Sequence, residues 1–264
     1  MDTIRRLLAF LSALVFCGAA HAGSACTETV PDAVSVMRAL ELAQKSSEAL
    51  DESGARVALI ARVGQDLSKY HLTYSHVAFV WRPVPGRPWS VVHELNQCGT
   101  AQSALFDEGL GNLFLDNMFA YQTLIVIPSA QTQERMAAIL GSGAMLKFHE
   151  RRYNMLAYPF STEFQNSNQW LLETLTAALA QDAAIDSRSD AQAWLRLAGY
   201  RPTTLNVPMM QRLGADVFRA NISFNDHPFD DRMAGRIDTV TVDSVVDFLV
   251  RRDAGVRRIE LAVR

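Results

Sequence analysis

The sequence predicts an α+β domain, and three observations carry that prediction. Short runs rich in β-branched, aromatic and small residues fall at 56–63, 74–81, 89–95 and 123–128. Longer stretches with apolar residues at helical spacing lie before, between and after them. The 264 residues are 49% hydrophobic, enough for one substantial core or two small ones, and one domain is the simpler reading.

The first residues are read apart from that core. MDTIRRLLAFLSALVFCGAAHA has Arg5 and Arg6, an apolar run from Leu7 to Phe16, and Ala20-His21-Ala22 before Gly23. This is the pattern of a secretory signal peptide over residues 1–22 with an A-x-A cleavage site, and it implies a periplasmic or secreted protein spanning 23–264. Cys17 closes the apolar run as in a lipoprotein, but Phe16 before it is larger than the small residue such a signal carries, so export in soluble form is preferred. No later run approaches the roughly 20 apolar residues of a membrane span.

Leader removal leaves Cys26 and Cys98. In an oxidising compartment the expected use of two cysteines is one disulfide, which ties the new N-terminus to the end of the 89–95 strand. The competing reading gives Cys98 a reactive thiol, although Asn96-Gln97-Cys98-Gly99 offers no helix start to lower its pKa. No C-x-x-C pair or compact His/Cys/Asp cluster suggests a metal, and no cofactor motif is present. The formal charge of −3 and the scattered basic pairs give no nucleic-acid footprint.

In order, Pro31 opens a helix running to about Leu50, with Val36, Ala39, Leu40, Ala43 and Leu50 on one side. The 56–63 strand follows. Tyr74 to Trp81 and Trp89 to Leu95 form a hairpin across the Pro83–Pro88 turn, with His76 on the strand face opposite Ser75 and Val77. Ser103 to Tyr121 reads as an apolar connection with a short helix near Glu108 to Leu115, and 123–128 as a buried strand. Helices are expected at Ser129 to Leu140, within 146–152, from Asn166 or Ser167 onward, from Ser187 to Gly199, and at Pro208 to Leu213. The tail changes character: strands at 217–224, 238–242 and 256–263 surround a helix at 244–252, so 215–264 admits a C-terminal subdomain.

RVGQDLSKYHLTYSHVAFV, VVHELNQCGT and YPFSTEFQNSNQW resemble the bacterial family catalogued as domain of unknown function 2145, over most of the chain after the leader. More remotely, the layout is similar to the circularly permuted branch of papain-like, NlpC-type amidases and peptidases. That resemblance implies an antiparallel sheet packed against helices, with a strand histidine, a polar residue after the next strand, and a nucleophile at a later helix start. His76 matches the first. The second falls within His93, Glu94 and Asn96, with His93 preferred. The third falls on Ser167, where the enzymes carry cysteine.

The implied chemistry is amide or ester hydrolysis, or acyl transfer, on cell-envelope peptide material. Ser167 would attack, His76 would accept its proton, His93 would orient His76, and Asn168 or Gln169 would hold the oxyanion. The alternative is a non-catalytic binding or scaffolding protein on the same fold, using Asn96, Tyr158, Phe160, Gln165, Asn166 and Trp170. A third reading makes Cys98 a relocated nucleophile beside a histidine. Ser167 or Asn166 as a plain helix cap is the simplest reading of the helix start.

Overall fold

The structure is a computed structural model that describes residues 31–116, 118–208 and 220–263. A six-stranded sheet forms its centre, in the order β4-β3-β2-β1-β5-β8. The strands are β1 (Val57–Val63), β2 (His76–Trp81), β3 (Ser90–Asn96), β4 (Ser103–Gly109), β5 (Ala120–Ile127) and β8 (Arg257–Ala262). Every neighbouring pair is antiparallel.

Alternation along the strands sorts side chains onto two faces. Val57, Leu59 and Ala61 of β1, with Val77, Phe79 and Trp81 of β2, join one cluster. Ala58 and Ile60, with Ala78 and Val80, join the other. Helix α1 (Ala33–Ser53) covers the second face with Ala39, Leu42, Ala43 and Leu50, one stripe at helical spacing. Asp32 caps α1, its carboxylate accepting from the backbone of Val34 and Ser35, and Gly54 ends it in the left-handed region. The short helix α2 (Leu110–Leu115) extends that cover through Leu110, Leu113 and Phe114.

The first face lies under α3 (Ala130–Ser142), α4 (Ser167–Leu179), α5 (Arg188–Leu197) and α7 (Val242–Arg252). In α4 all residues but Ala177 are buried, and Trp170, Leu171, Leu172 and Leu175 fill the layer. A helix buried on nearly every side sits inside the core, so its polar side chains must find partners there. The ribbon of β6 (Thr203–Asn206) and β7 (Arg236–Thr239) holds a small third cluster of Leu205, Val207, Phe224 and Ile237; α6 (Phe229–Met233) lies between these strands in the chain.

A mixed α+β protein with an antiparallel sheet under helices is what the sequence predicts, but several elements differ. Ser103–Gly109 is a strand rather than part of a loop, and the following helix begins only at Leu110. Residues 144–148 form a 3-10 turn, after which His149 to Arg152 run irregularly. β6 was not expected, 220–224 are turn and irregular backbone, and Val242 opens α7 instead of closing a strand. The expected leader, Cys26 and nearly all of the 208–213 helix lie outside the described residues. No described helix is long and apolar enough to cross a membrane.

Candidate functional site

His76 and Ser167 fall on opposite faces of the sheet. His76 alternates with Val77 and so shares the face of Ala78 and Val80, the one under α1. Ser167 begins α4, which packs on the other face. The expected Ser167–His76 pair is therefore not assembled. Ser167 is buried in the first turn of its helix, beside the Tyr153 hydroxyl; burial pushes that hydroxyl's pKa up to about 12, and Ser167 only partly opposes the rise.

The amides around Ser167 are turned inward. Asn166 caps α4 by accepting from Gln169 N at 2.8 Å, and its own amide donates to Thr239 Oγ1 at 3.0 Å. Asn168 Oδ1 accepts from Val77 N at 3.1 Å. That bond has a structural cause: β2 and β3 pair only at Phe79–Val92, Val80–Val91 and Trp81–Ser90, so the strands part beyond Phe79 and leave Val77 N without a strand partner. Asn168 fills that opening.

Gln165 and Gln169 donate to Glu173, at 2.6 and 3.2 Å. Arg188 meets the same carboxylate at 2.7 Å and Gln192 at 2.7 Å. Burial raises the Glu173 pKa, and the Arg188 guanidinium opposes that shift. A buried carboxylate needs such a ring of donors. The density of amides in QNSNQ is thereby explained as a polar network inside the core, and not as an oxyanion hole.

The other sequence-predicted residues also have structural places. Asn96 holds the turn after β3, donating to Thr100 O and Gln102 O and accepting from Asn221. Trp170 is fully buried, edge-on to Phe79. Tyr158 and Phe160 are half-buried and meet edge-on, with ring centroids 5.9 Å apart. Cys98 is exposed in the turn beyond β3.

The sheet does bring His76 and His93 together. His76 Nε2 lies 3.0 Å from His93 Nδ1, with ring centroids 5.2 Å apart. Arg62 of β1 is directly opposite His76 in the strand register, which puts the two side chains side by side on one face. Phe106 of β4 is opposite His93 and meets its ring edge-on. Glu108, on the same face two residues further along, brings Oε1 to 3.1 Å from His93 Nε2, too far out of line for a hydrogen bond but close enough for charge attraction. Arg62 is also tied to Asp116 beyond α2. A transverse polar row, Arg62–His76–His93–Glu108, thus crosses four adjacent strands.

The charges dictate how protons sit along this row. The Glu108 carboxylate favours a proton on His93 Nε2, so His93 Nδ1 is an acceptor for His76 Nε2–H. His76 Nδ1 is then unprotonated. It has no hydrogen-bond partner among the described residues. Burial holds the His76 pKa well below the usual histidine range, and the neighbouring His93 and Arg62 act in the same direction.

Sequence reasoning found His76 and His93 but not Arg62 or Glu108. Glu108 was hidden because β4 was read as a loop. A second buried group was also weighed only in passing. Glu94 points to the α4 side with neither carboxyl oxygen hydrogen-bonded, and burial pushes its pKa up to about 8. The Ser103 hydroxyl opposes that rise but is out of line for a bond to it, engaging His149 Nε2 at 3.1 Å instead. That serine is buried, at 1% exposure.

Among the described residues no group of three or more His, Cys, Asp or Glu side chains could hold a metal ion. Fold and site together define an α+β protein with a charged, histidine-bearing row across one face of an antiparallel sheet. Residues 49–249 match the model of the family described as "Uncharacterized protein conserved in bacteria (DUF2145)", and the chain belongs to that family. No curated protein and no solved structure matches it.

Proposed function

We propose that this is an exported bacterial protein that binds peptide-containing material of the cell envelope at the Arg62–His76–His93–Glu108 row. The observation that carries the reading is the His76–His93 contact on the face away from Ser167. It supports a ligand site there, because His76 Nδ1 has no hydrogen-bond partner among the described residues while Asn166, Asn168 and Gln169 are bonded inward. The leader pattern of residues 1–22 supports export, and a Cys26–Cys98 disulfide fits that compartment. The permuted papain-like architecture is retained as a proposal on the sequence motifs, with Ser167 reassigned from nucleophile to helix residue.

The test is amide and histidine shift mapping on the exported protein during titration with a soluble cell-wall peptide digest. The proposal expects perturbations at His76, His93 and Phe106. Perturbations confined to Ser167–Gln169, Tyr158 and Phe160 would return the site to the α4 side.

A hydrolase reading through Ser167 has its own test, labelling with a serine-directed fluorophosphonate followed by peptide mapping. The expected result is no adduct on Ser167. A Ser167 adduct that disappears in His76→Ala would restore the serine mechanism.

A further inference from the structure

We infer that two copies of this chain join edge to edge through β8, antiparallel about a two-fold axis at Ile259, with Arg258 of each opposite Glu260 of the other. β8 ends the sheet, with β5 on one side and no described strand on the other. Its pairing with β5 runs unbroken from Arg257 to Ala262, and the strand carries neither proline nor glycine. Val263 N–H donates to Tyr121 O at 2.9 Å, so by alternation Ile259 and Leu261 also turn their backbone groups toward β5. The backbone groups of Arg258, Glu260 and Ala262 point the other way, and no described backbone group bonds them. A regular, uncovered edge of this kind is a template for another strand. The opposite edge is not equivalent, because β4 begins under Arg151, whose carbonyl accepts from Ser103 N at 2.9 Å.

The side chains select the partner and the register. Ile259 and Leu261 pack on the α1 side, which puts Arg258 and Glu260 together on the α7 side, both exposed. Glu260 has no ion-pair partner among the described residues, and Arg258 comes no nearer than 3.9 Å to Asp247. A two-fold axis through Ile259 sets outward-facing residues against outward-facing residues. Arg258 then exchanges both backbone hydrogen bonds with the partner's Glu260, and opposite charges lie directly across from one another on each side of the axis. Moving the axis to Arg258 or to Glu260 would put like charges face to face, which is unfavourable. An axis at Arg257 or Leu261 would leave Glu260 opposite an alanine. The strand is thus complementary to a second copy of itself in one register. The contact is isologous and closes at two copies. Its axis stands perpendicular to the sheet, so both α1 helices and both polar rows stay on the same side.

Sedimentation equilibrium of the exported full chain over a range of concentrations tests the inference. Wild type should be a dimer. Arg258→Glu and Glu260→Arg should each weaken it by at least roughly tenfold, since each places two like-charge pairs across the axis. The double variant Arg258→Glu/Glu260→Arg should recover wild-type association, because the charges are opposite again. Both positions are exposed, so these variants should keep the wild-type unfolding midpoint. As a check on register, Ile259→Cys should oxidise to a covalent dimer, whereas Leu261→Cys, whose two copies lie several residues apart along the strands, should not. A wild-type chain that stays monomeric would overturn the inference, as would a dimer indifferent to both charge reversals, which places the contact elsewhere. A double variant as weak as the single ones, or cross-linking at Leu261→Cys and not at Ile259→Cys, would refute the register.

Discussion

His76 Nε2 and His93 Nδ1 meet at 3.0 Å where β2 and β3 have stopped pairing. The same opening is occupied from the other side of the sheet by Asn168, whose carbonyl accepts from Val77 N. The two features share a cause. Once the strands part, their backbone groups and neighbouring side chains must find other partners. One face supplies a helix-borne amide, and the other a pair of histidines.

Asn168→Ala removes the partner of the buried Val77 N–H. An unsatisfied buried donor costs about 1–3 kcal/mol, so a loss of about 2 kcal/mol is expected in denaturant unfolding. Ser167→Ala, by contrast, should change stability by no more than about 1 kcal/mol.

Glu173 is surrounded by Gln165, Gln169, Arg188 and Gln192. Replacing Arg188 with Met leaves that carboxylate buried without its cation, which typically costs about 3–5 kcal/mol. Equilibrium unfolding of Arg188→Met should report a loss of this size, and adding Glu173→Gln should recover part of it. Additive losses in the double variant would show that the two residues do not act as a pair.

Glu94 predicts a pH dependence. Its carboxyl moves from the ordinary 4.5 to about 8 in the folded protein, so between those values the folded state holds a proton that the unfolded state has released. Stability from this group is complete below about pH 4.5 and falls as pH rises toward about 8, at up to about 1.4 kcal/mol per pH unit. Glu94→Gln should flatten the decline in urea midpoints over that window. An unchanged slope would mean that Glu94 is ionised and solvated in the fold.

Much of the architecture was legible because it is local. The Tyr74–Trp81 and Trp89–Leu95 strands, the helix after Ser129 and the Asn166 cap of α4 follow from alternation, helical spacing and capping chemistry. Alternation also placed His76 opposite Val77. It could not say which helix covers which face, since that depends on pairings between residues far apart in sequence, such as Leu59 with Val126. Matching His76 to Ser167 by motif order therefore joined two residues that the sheet separates. β4 escaped notice because SALFDEG is an edge strand with mixed exposure and carries little periodic signal. With it went Glu108, the end of the polar row.

The central claim is that His76 is held as a neutral base by His93 on the face away from Ser167. Long-range 1H–15N correlation of the histidine rings across a pH titration tests it most directly. The account predicts that His76 is protonated on Nε2 and unprotonated on Nδ1 at neutral pH, and that it takes up its second proton only well below the ordinary 6.5. A His76 ring carrying its proton on Nδ1, or one titrating at 6.5 or above, would contradict it.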